Sequence, residues 1–182
     1  MQASDRIELC TNVGPALERN RVFAAERGQE GAVVFPRLRL FVITCMDPRV
    51  DPAHFLGLSL GDALVVRNGG GRVTAEVINN VAFIAQLAET VVPDGPLFEV
   101  AVIHHTQCGS GALADGTFRR RYAERIGTRE SGLQEYAVLD PAATVTHDVE
   151  LLRSAPAVSE RVAVSGYVYD VVTGLVETVV PA

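Results

Sequence analysis

The sequence predicts an α/β fold: a mostly parallel, twisted β-sheet flanked by helices, with a C-terminal antiparallel strand or hairpin. Three observations carry that reading. Apolar runs rich in β-branched residues stand at 38–43, 62–67 and 98–103, with lengths and flanking turn residues that suit buried strands better than helices. Helical signals separate them, so the order strand, short helix, strand, helix, strand implies parallel neighbours. Near the end, 161–170 alternates as a strand does and is followed by Thr173-Gly174, a tight-turn pair that leads into 171–180 as the second arm of a hairpin.

Each element has a local cause. Val13, Leu17, Val22, Phe23 and Ala24 lie among charged residues over 13–28, and Gly28 stops what reads as an amphipathic helix. That helix packs either on its own sheet or on a second subunit. A loose segment with Gly31 and Pro36 follows. Asp51 as N-cap with Pro52 in the first helical position predicts a short helix after the first strand. Thr74 opens a longer one, with Val77, Ile78, Val81, Ile84, Ala85 and Ala88 at helical spacing to about residue 90, ended by Pro93, Gly95 and Pro96. Beyond it, 118–122 and 147–152 read as helical. The adjacent Arg119, Arg120 and Arg121 would point in different directions around a helix and so suggest a solvated surface with local ion pairs.

Composition excludes several function classes. At 182 residues and 48% hydrophobic content the chain is read as one globular domain, 1–182, with 1–37 as an N-terminal helical segment. The net charge of -6 gives no footprint for nucleic acid or an anionic membrane. All 16 basic residues are Arg, so Schiff-base chemistry and a phosphate-loop lysine are both excluded. Three cysteines do not make a disulfide framework and read as reduced ligands or core residues. The charged stretch Met1–Glu8 does not suit a signal peptide, and no apolar run approaches a membrane span, so a cytoplasmic protein is expected.

The chemistry gathers at two strand ends. Thr44-Cys45-Met46-Asp47-Pro48-Arg49 follows the first run, and His104-His105-Thr106-Gln107-Cys108-Gly109-Ser110-Gly111 follows the third. Ligands of open α/β sheets bind at the carboxyl edge of the strands. If the two strands are parallel neighbours, Cys45, His105 and Cys108 converge, and two thiolates with one imidazole form a zinc site with a position left for water. Between them Asn68-Gly69-Gly70-Gly71-Arg72 is either an anion-binding nest of backbone amides or a flexible strand-to-helix turn. Cys10 is read as non-functional, and His54 as a surface or capping histidine rather than a proton shuttle. His104 is expected to point into the core with its nitrogens satisfied.

The paired motif Cys45-Met46-Asp47-Pro48-Arg49 and His105-Thr106-Gln107-Cys108 resembles the C-x-D-x-R and H-x-x-C signature of the β-class carbonic anhydrases. The stretches Arg67–Gly70 and Gly166–Asp170 resemble short bacterial members of that family. The resemblance implies reversible hydration of carbon dioxide to bicarbonate by zinc-bound hydroxide, with one Zn2+ per chain on Cys45, His105 and Cys108. It also implies a homodimer or higher homo-oligomer, with 1–37 expected on a partner subunit, and Asp47 and Arg49 as the catalytic pair. Two thiolates neutralise a divalent cation, so something else must favour the hydroxide. Asp47 can accept its hydrogen and orient it, while Arg49 holds Asp47 ionised. Gln107 stands where related short members often carry Asp. Carbonyl sulfide or carbon disulfide hydrolysis on the same site is the nearest alternative. A thiol hydrolase with Cys45 as nucleophile, and a non-catalytic zinc or anion-binding module closed by Asp47, are alternatives of other classes.

Overall fold

A computed structural model describes residues 12–182. Cys10 and the charged Met1–Glu8 stretch lie outside the described residues. The chain divides into two compact units after Val33. In the first, α1 (Gly14–Ala25) starts with Pro15 in its first turn, and the Gly28 amide donates back to Phe23 O beyond its end. A helix is there, ending three residues before the glycine that signals its stop, but it lacks the expected amphipathic face: Leu17, Val22 and Phe23 are all exposed and it buries no residue.

The second unit holds one five-stranded sheet in the order β2-β1-β3-β4-β5. Its strands are β1 (Leu40–Cys45), β2 (Ala63–Asn68), β3 (Phe98–His105), β4 (Val162–Tyr169) and β5 (Val176–Val180). The first four are mutually parallel and β5 is antiparallel to β4, as the sequence pattern requires. β3 extends two residues past the apolar run and includes both histidines. The helices are α2 (Pro52–Phe55), α3 (Ala75–Glu89), α4 (Gly116–Ile126) and α5 (Pro141–Ser154). Asp51, Thr74, Asp115 and Asp140 cap them, each accepting a backbone N–H two or three residues on.

The main core joins alternate β1 and β3 residues (Phe41, Ile43, Val100, Val102) to Val77, Val81 and Ala85 of α3 and Val145, Val149 and Leu152 of α5. Burying each large aliphatic side chain stabilises the fold by about 1.5–3 kcal/mol. Val42, Ala101 and Ile103 point the other way, where Phe55 of α2 stacks on Tyr169 of β4 at 4.4 Å between ring centroids. The arginine triplet lies on α4 as expected, Arg119 and Arg120 both pairing with Glu130. Among the described residues no helix is long and apolar enough to cross a membrane.

Candidate metal centre

Adjacency of β1 and β3 creates the site. Their register pairs Thr44 with Ile103, and the Thr44 hydroxyl donates to Ile103 O at 2.8 Å. Cys45 ends β1 and His105 ends β3 at the same carboxyl edge of the sheet. Cys108 returns to them through a turn in which Gln107 takes φ +55°, a left-handed conformation uncommon for a residue with a Cβ. β4 braces that turn: Thr106 N donates to Tyr169 O, and Val171 N donates to the Thr106 hydroxyl.

The ligand atoms of Cys45, His105 and Cys108 lie within 4.8 Å of one another. The two sulfurs are 3.9 Å apart. Sulfurs bound at about 2.3 Å to one tetrahedral zinc would be separated by about 3.8 Å, so the spacing suits that ion. The imidazole is prepared in the same sense. Nδ1–H of His105 donates to Thr106 O at 2.9 Å, which fixes the tautomer and leaves a lone pair on Nε2. That nitrogen is buried and, among the described residues, is the one buried side-chain polar atom with no hydrogen-bond partner. A buried unsatisfied nitrogen is costly, and a metal ion would satisfy it.

The two thiols also need a cation between them. The Cys45 thiol is pushed up, first by its hydrogen bond with Cys108 and then by burial. Cys108 is pulled down, first by Cys45 and, against burial, by His105 and Ser110. The two sulfurs are hydrogen-bonded to each other, and a divalent cation bound by both would take the place of the thiol hydrogen between them. The backbone amides of Asp47 and Gly70 favour the Cys45 thiolate, and the Ser110 amide favours that of Cys108.

The glycine run is a tight 3-10 turn (Gly69–Gly71) between β2 and α3, and the Gly70 amide is among the groups that favour the Cys45 thiolate. Gly71 has φ +68°, and a Cβ there would lie 2.9 Å from Cys45 N and from the Thr44 carbonyl carbon. Only glycine lets the turn lie against the ligand strand.

Asp47 and Arg49 form the expected pair. Arg49 Nε and Nη2 donate to the two carboxylate oxygens at 3.0 and 2.7 Å, and the Arg49 amide adds a third bond at 2.9 Å. The guanidinium holds the Asp47 carboxyl down at about 2. Gln107 contributes its carbonyl, which accepts from Arg49 Nη2 at 3.0 Å; the residue is otherwise exposed. Arg67 braces the motif from β2 by donating to Cys45 O at 3.0 Å and Asp47 O at 2.8 Å.

The two remaining histidines of this region lie apart from the cluster. His54 is exposed on α2. His104 is fully buried and points to the other face of β3, with Nδ1 on the Thr144 hydroxyl at 2.8 Å and Nε2 on Gly71 O at 3.2 Å. Sequence reasoning missed what His104 belongs to. Asp148 of α5 accepts from Arg72 Nε and Nη2 at 2.8 Å each and from the Val73 amide at 2.9 Å, and lies 3.3 Å from His104 Nε2. The signal was a carboxylate on the apolar stripe of α5, between Val145 and Leu152. An open cleft of about 470 Å³ lined by Pro93–Pro96 and Glu160–Ala163 lies at the opposite edge of the sheet, far from these groups.

A mostly parallel α/β sheet with a Cys/His/Cys group at the carboxyl edge of two neighbouring strands defines an α/β protein with a candidate metal centre. Comparison with known proteins then gives the family. The carbonic anhydrase family model matches residues 40–129. Over 146 residues the chain is 31% identical to β-carbonic anhydrase 1 of Mycobacterium tuberculosis, covering 80% of this chain and 85% of that one. It is 28% identical to a carbon disulfide hydrolase of Acidianus, over 74% of each chain. The crystal structure of the Streptococcus mutans carbonic anhydrase superposes with a TM-score of 0.73 at 32% identity, covering 91% of this chain and 95% of that one. The chain belongs to the β-class carbonic anhydrase family.

Proposed function

We propose that this protein is a carbonate dehydratase that reversibly hydrates carbon dioxide to bicarbonate, with one Zn2+ per chain on Cys45, His105 and Cys108 and with Asp47 and Arg49 as its catalytic pair. The observation that carries the reading is the engagement of Asp47. Both of its oxygens are taken by Arg49, and it is not part of the three-residue ligand cluster. Three protein ligands are the number that suits a catalytic site rather than a structural one, which argues against a module closed by Asp47.

Cys45, His105 and Cys108 would hold the zinc, which when bound would supply a Lewis acid able to lower the pKa of water from 15.7 toward roughly 7. Asp47 remains ionised throughout the working range and is therefore acceptor-only. It would accept a hydrogen bond from the nucleophile's O–H, with no proton transferred to it, and so turn an oxygen lone pair toward the substrate carbon. Arg49 keeps that carboxylate ionised and fixed in direction, held in turn by Gln107 O. The proton released on hydration leaves to solvent buffer.

A hydrolase of carbon disulfide or carbonyl sulfide is the second reading, favoured by the carbon disulfide hydrolases among the relatives. Those linear substrates would undergo the same attack. A thiol hydrolase with Cys45 as nucleophile and His105 as its base leaves Cys108 without a role. The deciding experiment is stopped-flow carbon dioxide hydration across pH on protein of measured zinc content, beside sulfide release from carbon disulfide and carbonyl sulfide. Hydration at about one zinc per chain supports the dehydratase; zinc with sulfide release alone transfers the site to the second reading. We also propose a cytoplasmic homodimer or higher homo-oligomer with the 1–37 segment on a partner subunit. Light scattering of the full chain and of a 38–182 fragment tests the assembly.

A further inference from the structure

The side chain of Ser110 has a role that the family motif does not specify. Its Oγ lies 3.2 Å from the Cys108 sulfur and 3.3 Å from Val138 N. An amide can only donate, so Val138 N–H occupies a lone pair of the hydroxyl, and the hydroxyl hydrogen remains for the sulfur. The position is confined on a third side: a Cβ on Gly70 would come within 3.0 Å of Ser110 Oγ. Val138 itself is buried, 4% exposed, so the amide that sets the hydroxyl rotor is firmly placed.

We propose that Ser110 is a positioning residue for the metal centre, donating its hydroxyl hydrogen to the Cys108 thiolate and lessening the charge that this sulfur gives to a bound divalent cation. The inference rests on the metal-site reading and extends it. Two thiolates cancel the cation's charge, which works against activation of water. Hydrogen bonds to the sulfurs oppose that effect, since partners outside the ligand set tune the electronic character of the ion. The Ser110 hydroxyl is the one donor to the Cys108 sulfur, among the described residues, that a single side-chain substitution outside the ligand set removes.

The test uses cobalt(II)-substituted full-length protein, because its sulfur-to-metal charge-transfer band reports thiolate donation whatever the activity. Ser110→Ala is expected to move that band to lower energy, Ser110→Gly to do the same, and Ser110→Thr, which keeps a hydroxyl, to restore it. In the zinc forms, kcat of the two deletions is expected to fall about tenfold or more with KM unchanged and one zinc retained. A band at the same energy in the wild type and both deletions overturns the proposal. If the zinc-loaded wild type proves inactive, the dehydratase reading fails alone, and the cobalt band still decides the role of Ser110.

Discussion

His104 and His105 are neighbours on one strand and belong to opposite worlds. Successive residues of a strand face opposite sides of the sheet. His104 thus enters a cluster whose valences are complete: Arg72, Asp148, Thr144 and Gly71 O satisfy one another in the core. His105 enters one that is incomplete, with an unpartnered Nε2 beside two sulfurs hydrogen-bonded to each other. The same side chain is structural in one and a ligand candidate in the other. What separates them is not burial, since both are fully buried, but whether the protein itself supplies every hydrogen-bond partner.

Exchanging the substitution between the two histidines tests this contrast most severely. His105→Ala is expected to lose zinc altogether, from about one per chain to none, as read by elemental analysis of purified protein. His104→Ala should retain zinc and lose stability instead. Retention of stoichiometric zinc by His105→Ala would remove the distinction. The next effect separates ligand from catalytic residue: Arg49→Ala is expected to keep its zinc while carbon dioxide hydration falls about a hundredfold or more, because Asp47 loses the guanidinium that holds it. Full activity in that variant would leave Asp47 without its assigned role.

On the closed side, Asp148→Ala leaves Arg72 buried with no counter-ion. Removing one member of a buried pair typically costs about 3–5 kcal/mol, and urea denaturation should show a loss of that size. A loss under about 1 kcal/mol would mean that the cluster relaxes by admitting water.

The open cluster is legible in the sequence and the closed one nearly invisible, for a physical reason. Metal ligands are constrained by chemistry that few residues can supply, so Cys45, His105 and Cys108 stand out by type and by their place after apolar strands. Arg72 and Asp148 are 76 residues apart and are joined only because α5 packs on the sheet behind the Gly69–Gly71 turn. Asp148 is open to suspicion from its place on an apolar helical stripe; Arg72 is not, since it follows a glycine run as a surface residue would. The start of α5 carries a signal of its own: Asp140-Pro141 repeats the cap-and-proline pair of Asp51-Pro52, so the helix begins six residues before the His147 at which the sequence reading places it. Ser110 carries no signal in sequence, because its role depends on the Val138 amide arriving from another segment.

The smallest expected effect is a pH dependence that distinguishes the two carboxylates by environment. Burial alone would push the Asp148 carboxyl up, but Arg72, His104 and the Val73 amide together outweigh it and hold the group below the usual range. A carboxyl depressed in the folded state binds its proton more readily when unfolded, so its stabilisation is complete above the ordinary carboxylate pKa of about 3.9 and is lost as pH falls through the lower folded value. Asp47, held at about 2 by Arg49, obeys the same sign but lies beside solvent, which screens the pair. The stability gap between wild type and Asp148→Asn, from urea midpoints, should therefore be constant from about pH 5 to 8 and narrow below about pH 4, whereas Asp47→Asn should show a smaller gap with the same trend. A gap that widens on acidification would mean that Asp148 is protonated in the fold, and the cluster behind the strand would then be held by neutral hydrogen bonds rather than by an ion pair.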